Sequence, residues 1–367
     1  MLFRKKKEKF IANVCNSTYE KKCLLLYIAF PFLPGVARNS HQNIWQVTEM
    51  ARLLSERGYD VDAADYDLDR FDVPYKYDLV IDILPRDHAI YEEYMNEGCK
   101  RLAYITGSNP SFANEAEKKR IRECNKRRNC ELIPRRQSLP VSKSIENYGA
   151  VLFIGNEYNL QTYRNEFQLK KCYFIPNTGY DIKINEGNRK NNAFLYLGGV
   201  GQVHKGLDLL LEVFGSGMKE EQLYICSPFK HEKDFVKAYK TELYHKPNIH
   251  PVGFVDVLGR KFRNIADKCT FLILPSCSEG QAGAVCTAMS YGLIPVCTPE
   301  CGFDEDEVML IKDASIEGLA ETVRTCLEMD ENKRKMLRDR SLQLVRDKYS
   351  RENFTKVFSG ILDEVIR

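Results

Sequence analysis

Between residues 24 and 297 the chain alternates short apolar runs with stretches whose apolar residues recur every three or four positions. This alternation limits the fold more than any other feature, because it implies βαβ units and parallel sheets. Strand signals fall at 24–30, 59–63, 79–84, 102–105, 151–154 and 173–175. Ile44, Val47, Met50, Ala51 and Leu54 mark an amphipathic helix closed by Gly58. A polar stretch at 183–192 then reads as a linker. After it the rhythm restarts, with strands at 193–197, 222–226, 249–253, 271–274 and 294–297. Helices are expected from Leu207, around 232–244 and 258–266, and at 283–291. The expectation is an α/β chain of two Rossmann-like parallel-sheet domains facing a cleft, at 23–182 and 193–348. An N-terminal extension at 1–22 and a last helix within 349–367 complete it. Phe354, Val357, Phe358, Ile361, Leu362 and Val365 have the spacing of a packed helix face. A length of 367 residues suits two domains. Open α/β sheets bind ligands beyond the carboxyl ends of their strands, so the cleft is the expected site.

The formal net charge is +3, but residues 1–22 carry seven basic and two acidic residues, which leaves the body nearly neutral. A nucleic-acid-binding protein spreads basic charge over a folded face. No nucleic-acid partner is therefore expected, and the tag suits an anionic membrane surface. A second basic run, 117–136, holds nine basic and three acidic residues. It reads either as a solvated helix face or as a rim for a phosphate-bearing or membrane-bound partner. No apolar run has the length of a membrane span, and no signal-peptide pattern is legible. The 13 cysteines include no CxxC pair, which argues against zinc and for reduced thiols in the cytoplasm.

Two loops carry the chemistry. The first, LGGVGQVHKGL at 197–207, lies between a strand and a helix. It departs from the dinucleotide fingerprint at His204 and from the Walker A pattern at Leu207 and Asp208. What remains is a glycine-rich loop with Lys205 beside a helix N-terminus, suited to an anion such as a diphosphate. The alternative is a plain turn with a solvated lysine. The second, LPSCSEGQAGAVCTAMSYGLIPVCT at 274–298, places Glu279 between a strand's carboxyl end and a helix start. A carboxylate there either accepts hydrogen bonds from sugar hydroxyls or simply caps the helix.

Together the two loops resemble those of retaining glycosyltransferases of the GT-B fold, the glycosyltransferase group 1 family. The resemblance also rests on FIPNTGYD before the linker and on IHPVGFV after it. It implies that Lys205 binds the donor diphosphate and that Glu279 holds donor-sugar hydroxyls. These two are the catalytic candidates. It implies further donor contacts at Gly199, Gly201, His204, Gly253, Phe254, Ser276 and Thr287. The loop Gly280, Gln281, Ala282 and Gly283 would offer backbone amides, and Gly253–Phe254 would lie near the nucleobase. The family's second glutamate falls at Thr287, and the arginine five before its lysine falls at Val200. His204 is a candidate source of the missing positive charge. On the acceptor side, Gly35, His41 and Asn109 are candidates, although a lone His or Asn more often serves structure.

The resemblance implies a glycosyltransferase that moves a sugar with retention from a nucleotide-sugar to a glycan or lipid-linked acceptor, in cell-surface polysaccharide synthesis. No cofactor and no metal are expected; the nucleotide-sugar is a co-substrate. The rival readings are a nucleotide-sugar epimerase of the same fold and a non-catalytic scaffold. The protein is expected in the cytoplasm, peripheral on the inner face of the plasma membrane through Arg4–Lys9. Liposome sedimentation tests this: the full chain should pellet with anionic vesicles more than a chain lacking residues 1–22, and equal pelleting would exclude the tag.

Overall fold

The computed structural model describes residues 9–37, 41–68, 70–83, 92–184, 189–218 and 220–366. Most of the basic tag, Arg4 to Glu8, lies outside the described residues, as do Leu84 of the third expected strand and linker residues 185–188.

The first sheet has seven strands: β1 (Phe10–Ile11), β2 (Lys21–Tyr27), β3 (Tyr59–Asp65), β4 (Tyr77–Asp82), β5 (Met95–Ile105), β6 (Ala150–Phe153) and β7 (Lys171–Phe174). Their order is β1-β3-β2-β4-β5-β6-β7. All pairs are parallel except β1 on β3. Helices α1 (Gln42–Ser55), α2 (Pro110–Arg128) and α3 (Glu157–Arg164) connect them. The second sheet holds β8 (Lys190–Leu197), β9 (Gln222–Cys226), β10 (Ile249–Pro251), β11 (Cys269–Leu274), β12 (Ile294–Cys297) and β13 (Met309–Leu310). Its order is β10-β9-β8-β11-β12-β13, all parallel. This is the doubly wound arrangement, with the chain reversing direction across the sheet between β8 and β11. Helices α4 (Leu207–Ser216), α5 (Lys233–Ala238), α6 (Lys240–His245), α7 (Arg260–Ala266) and α8 (Gly283–Ser290) cover it, followed by α9 (Ile316–Leu327), α10 (Glu331–Asp347) and α11 (Arg351–Val365).

Central strands such as CTFLIL in β11 are buried throughout, as parallel strands covered on both faces must be. The first expected strand is shifted: β2 starts at Lys21 and ends at Tyr27. The chain then forms a 3-10 turn at Phe30–Phe32, where Pro31 has no amide to donate to a ladder. The linker is shorter than expected, because residues 190–192 already pair within β8. The helix expected at 232–244 is two helices that meet at the fully buried Tyr239.

Two helices join the halves. Phe354, Phe358, Ile361 and Leu362 of α11 share the core of β2, β4 and α1, so the last helix crosses back to the first sheet. Helix α2 leaves the first sheet, yet its Ile121 and Cys124 belong to the core of the second. Three arginines of the basic run at 117–136 are thus committed to acids of the second half. Arg127 donates to Asp208 (2.6 Å) and Glu212 (3.0 Å). Arg128 donates to Glu212 (2.6 Å) and Glu242 (2.8 Å), and its guanidinium lies 4.3 Å from the Tyr239 ring centre. Arg135 pairs with Asp234 at 2.6 Å.

Asp208 is buried, and burial pushes its carboxyl up to about 6 although Arg120 and Arg127 oppose this. Arg127→Met strands that carboxylate and should cost about 3 kcal/mol at pH 7. A carboxyl whose folded pKa is raised gains stability as pH falls, so the cost should shrink between pH 7 and pH 5. Urea denaturation of both proteins at the two pH values checks this; an equal cost at both would assign the loss to packing.

Candidate active site

Where the two sheets face each other a cavity of about 420 Å³ opens between them. Much of its lining comes from residues at or just beyond strand carboxyl ends: Tyr27 at the end of β2, Thr106 after β5, Ile154 after β6, Asn177 after β7, Leu197–Gly199 at and after the end of β8, Cys226 at the end of β9, Phe254 after β10 and 279–284 after β11. A parallel sheet gathers its loops at this edge, so two such sheets set edge to edge make the cleft the sequence implied. A second hollow of about 560 Å³ lies across Tyr180, beside Arg346 and Arg351, and holds none of the sequence's candidates.

The centre of the cavity is an ion pair. Lys205 donates through Nζ to Oε1 of Glu279, and the Ser276 hydroxyl donates to the same oxygen at 2.7 Å. Burial alone would raise the Glu279 carboxyl, but Lys205 and Arg136 pull it down to about 2. Burial, reinforced by Arg136, lowers Lys205, and Glu279 opposes that. Glu279 is therefore ionised at neutral pH. Glu279 does not cap α8: the N-cap position is Ala282 and makes no side-chain cap.

The loop that carries Glu279 is held from the opposite half. Its carbonyl accepts from the Ser108 amide (2.8 Å), the Ser108 hydroxyl (2.6 Å) and Asn159 Nδ2 (3.1 Å). The Gln281 amide donates to the Ile154 carbonyl at 3.2 Å, and Asn177 binds Gln281 through both its backbone and its side chain. Gly280 fits because it has no side chain: a Cβ there would stand 2.4 Å from the Thr106 carbonyl oxygen. On the lysine's side, Gly206 adopts φ +75°, and a Cβ would stand 2.4 Å from the Pro275 carbonyl oxygen. This pins the turn that aims Lys205 and leaves no room for another residue.

Several expected amide contacts are committed elsewhere. Glu232, itself buried, accepts from the amides of Gly201 (2.7 Å) and Gln202 (3.1 Å). Gly201 is therefore not an anion cradle. In the second loop the amides of Gln281 and Ala282 serve Ile154 and Cys301. The amides of Gly283 and Ala284, which open α8 and belong to the cavity lining, have no partner among the described residues. They are the α8 amides available to an anion.

The other candidates sort by position. Gly199 and Phe254 line the cavity, and Phe254 is 76% exposed. Gly253 and Ser276 do not line it; Ser276 acts on Glu279. Thr287 lines it, but its hydroxyl donates to the Gly283 carbonyl (2.8 Å) and accepts from Gln42 Nε2 (3.0 Å), a cross-sheet contact. His204 lies beneath the loop. Its Nε2 sits 2.7 Å from the Ser278 carbonyl, a contact that assigns the proton to Nε2. Burial lowers its pKa to about 4, so it supplies no positive charge at neutral pH. Val200 is exposed and does not line the cavity. His41 caps α1, accepting from the Asn43 amide at 3.3 Å, and borders the cavity. Asn109 caps α2 and Gly35 forms a left-handed turn; neither lines the cavity. The reading of sequence missed Asn159, Ser108 and Gln42, which carry no motif, and reached Arg136 only as part of the basic run at 117–136. Among the described residues no group of three or more His, Cys, Asp or Glu is arranged to hold a metal ion.

His204 gives the site a pH signature. Its folded pKa lies below the unfolded value, so the unfolded chain binds more protons between pH 4 and 6.5, and stability is lost as pH falls through that window. His204→Gln should remove up to about 3 kcal/mol of this pH dependence while keeping a donor toward Ser278. Denaturation midpoints at pH 7 and pH 4.5 measure it; identical pH dependence in both proteins would rule out a buried neutral imidazole.

Residues 191–329 match the family described as Glycosyl transferases group 1. No curated protein sequence matches the chain. Solved structures match almost its whole length at low identity. Sucrose-phosphate synthase from Thermosynechococcus elongatus shares 13% identity at a TM-score of 0.64, over 94% of this chain and 99% of that one. HepE of Anabaena, solved with UDP and glucose, shares 12% at 0.60, over 94% and 100%. WaaG, a glycosyltransferase involved in lipopolysaccharide biosynthesis, shares 14% at 0.53, over 94% and 99%.

Proposed function

Starting from a GT-B fold whose residues 191–329 match the group 1 glycosyl transferases, we propose that this protein transfers a sugar from a nucleotide-sugar to a glycan or lipid-linked acceptor, with retention. The observation that carries the proposal is the buried Lys205–Glu279 pair at the meeting of two parallel-sheet edges. The proteins of similar fold include one solved with UDP and glucose and one named for lipopolysaccharide biosynthesis. They support a nucleotide-sugar donor and a role in cell-surface glycans.

The donor set favours an already activated sugar. Glycoside hydrolysis needs two carboxyl groups, one to protonate the leaving oxygen. Glu279 is the sole carboxylate among the described residues lining the cavity, and it is held ionised. A nucleoside diphosphate leaves as a stable anion and needs no such acid. Cleavage of the bond from the anomeric carbon to the diphosphate builds negative charge on the leaving group. Lys205 and the free amides of Gly283 and Ala284 stand ready to stabilise it. Glu279, pulled down to about 2, is a weak base; its role is to orient donor-sugar hydroxyls through charge-assisted hydrogen bonds. Phe254, exposed at the cavity mouth, offers a face on which a base can stack.

Thermal-shift measurement against UDP, GDP, ADP, CDP and dTDP tests the reading. One of them should stabilise the protein, and Lys205→Ala should abolish the shift. With the matching nucleotide-sugar, Glu279→Gln should lower kcat by about 10²-fold. A wild-type protein that responds to none of the five would contradict the proposal.

A further inference from the structure

The cavity's charge count points to an arginine from the opposite half of the molecule. The charged side chains among the described residues lining it, apart from the lowered imidazole of His41, are Lys205, Glu279 and Arg136. Lys205 and Glu279 neutralise each other. The net positive charge offered to an incoming anion therefore comes from Arg136, contributed by the segment after α2 rather than by the family-matched second half.

Arg136 is built into place. Its amide donates to both carboxylate oxygens of the buried Glu117, at 3.1 and 3.0 Å. The same carboxylate takes the amide of Arg135 and the side chain of Gln137. The aliphatic stem lies against Gly201, where a Cβ would come within 2.8 Å of Arg136 Cγ and Cδ. Gly201 thus serves the loop by letting the arginine pass, at φ +88°, and not by cradling an anion itself. Three nearby arginines are committed: Arg127 and Arg128 to the α4 and α6 acids, and Arg135 to Asp234. The Arg136 guanidinium has no hydrogen bond or ion pair among the described residues.

We propose that Arg136 is the cross-domain binding residue for the donor diphosphate, its guanidinium fork reaching from the first half to the phosphate oxygens beside Lys205. The geometry suits the chemistry, because a planar guanidinium binds phosphate oxygens in pairs where an ammonium acts as a point charge. It also makes the two halves interdependent: the lysine comes from one and the arginine from the other, so a diphosphate is bound fully only when both face the cavity. This assignment rests on the nucleotide-sugar reading.

Isothermal titration of the full chain separates the two. The probes are UDP, GDP, ADP, CDP and dTDP, with the matching free nucleosides. Arg136→Met keeps the stem that packs on Gly201 and removes the fork; Arg136→Lys keeps the charge; Arg135→Met is the surface control. For the nucleoside diphosphate that binds the wild type, Arg136→Met should weaken binding about 10- to 100-fold, while binding of the matching nucleoside stays unchanged. Arg136→Lys should recover part of the loss, and Arg135→Met should bind as the wild type does. Unchanged diphosphate affinity in Arg136→Met would overturn this assignment and leave the nucleotide-sugar reading standing. Equal weakening of diphosphate and nucleoside would also overturn it, since that marks a general distortion. A wild-type chain that binds none of the five would overturn both.

Discussion

Everything at the site depends on how the Glu279 loop is held. Its carbonyl is fixed by Ser108 and Asn159 from the first half, and its carboxylate by Lys205 and Ser276 from the second. Neither half positions Glu279 alone. A buried ion pair carries a large desolvation cost, and further hydrogen bonds must offset it. Here they come from Ser276 on the carboxylate and from the loop's backbone anchors. Helices α2 and α11 make that arrangement possible, because each begins from one half and buries its apolar face in the other.

The electrostatics follow from the same geometry. Burial would push both partners toward neutrality, yet the lysine and the nearby arginine keep the carboxylate ionised. A permanently charged Glu279 is suited to orienting hydroxyls and unsuited to giving or taking a proton at neutral pH. Among the described residues, the groups offered to an anion include two amides at the start of α8, one ammonium shared with Glu279, and one guanidinium. Such a set is matched to a leaving group that carries its own negative charge.

Much of the fold was legible because parallel strands buried on both faces leave unmistakable apolar runs, as in LLLY of β2 and CTFLIL of β11. The glycine-bearing loops were legible for a similar reason. Gly206 and Gly280 stand where backbone approaches backbone, and no other residue fits. What could not be read was tertiary pairing. Nothing local says that Glu232 will take the amides of Gly201 and Gln202, or that Arg127 and Arg128 will close on Asp208 and Glu212. A basic run looks the same whether it faces water or a buried acid. His204 misled for the converse reason: its type promises charge near neutrality, but burial against the Ser278 carbonyl keeps it neutral.

The central claim is that one cavity, closed by both halves, binds the phosphate end of a nucleotide. Hydrogen–deuterium exchange of the full chain, with and without UDP, GDP and ADP, tests it at peptide resolution. The account predicts protection by one of these nucleotides concentrated at 198–206 and 276–287, with a cross-domain component at 135–137. Protection confined to other surfaces, or none with any of the three, would contradict it.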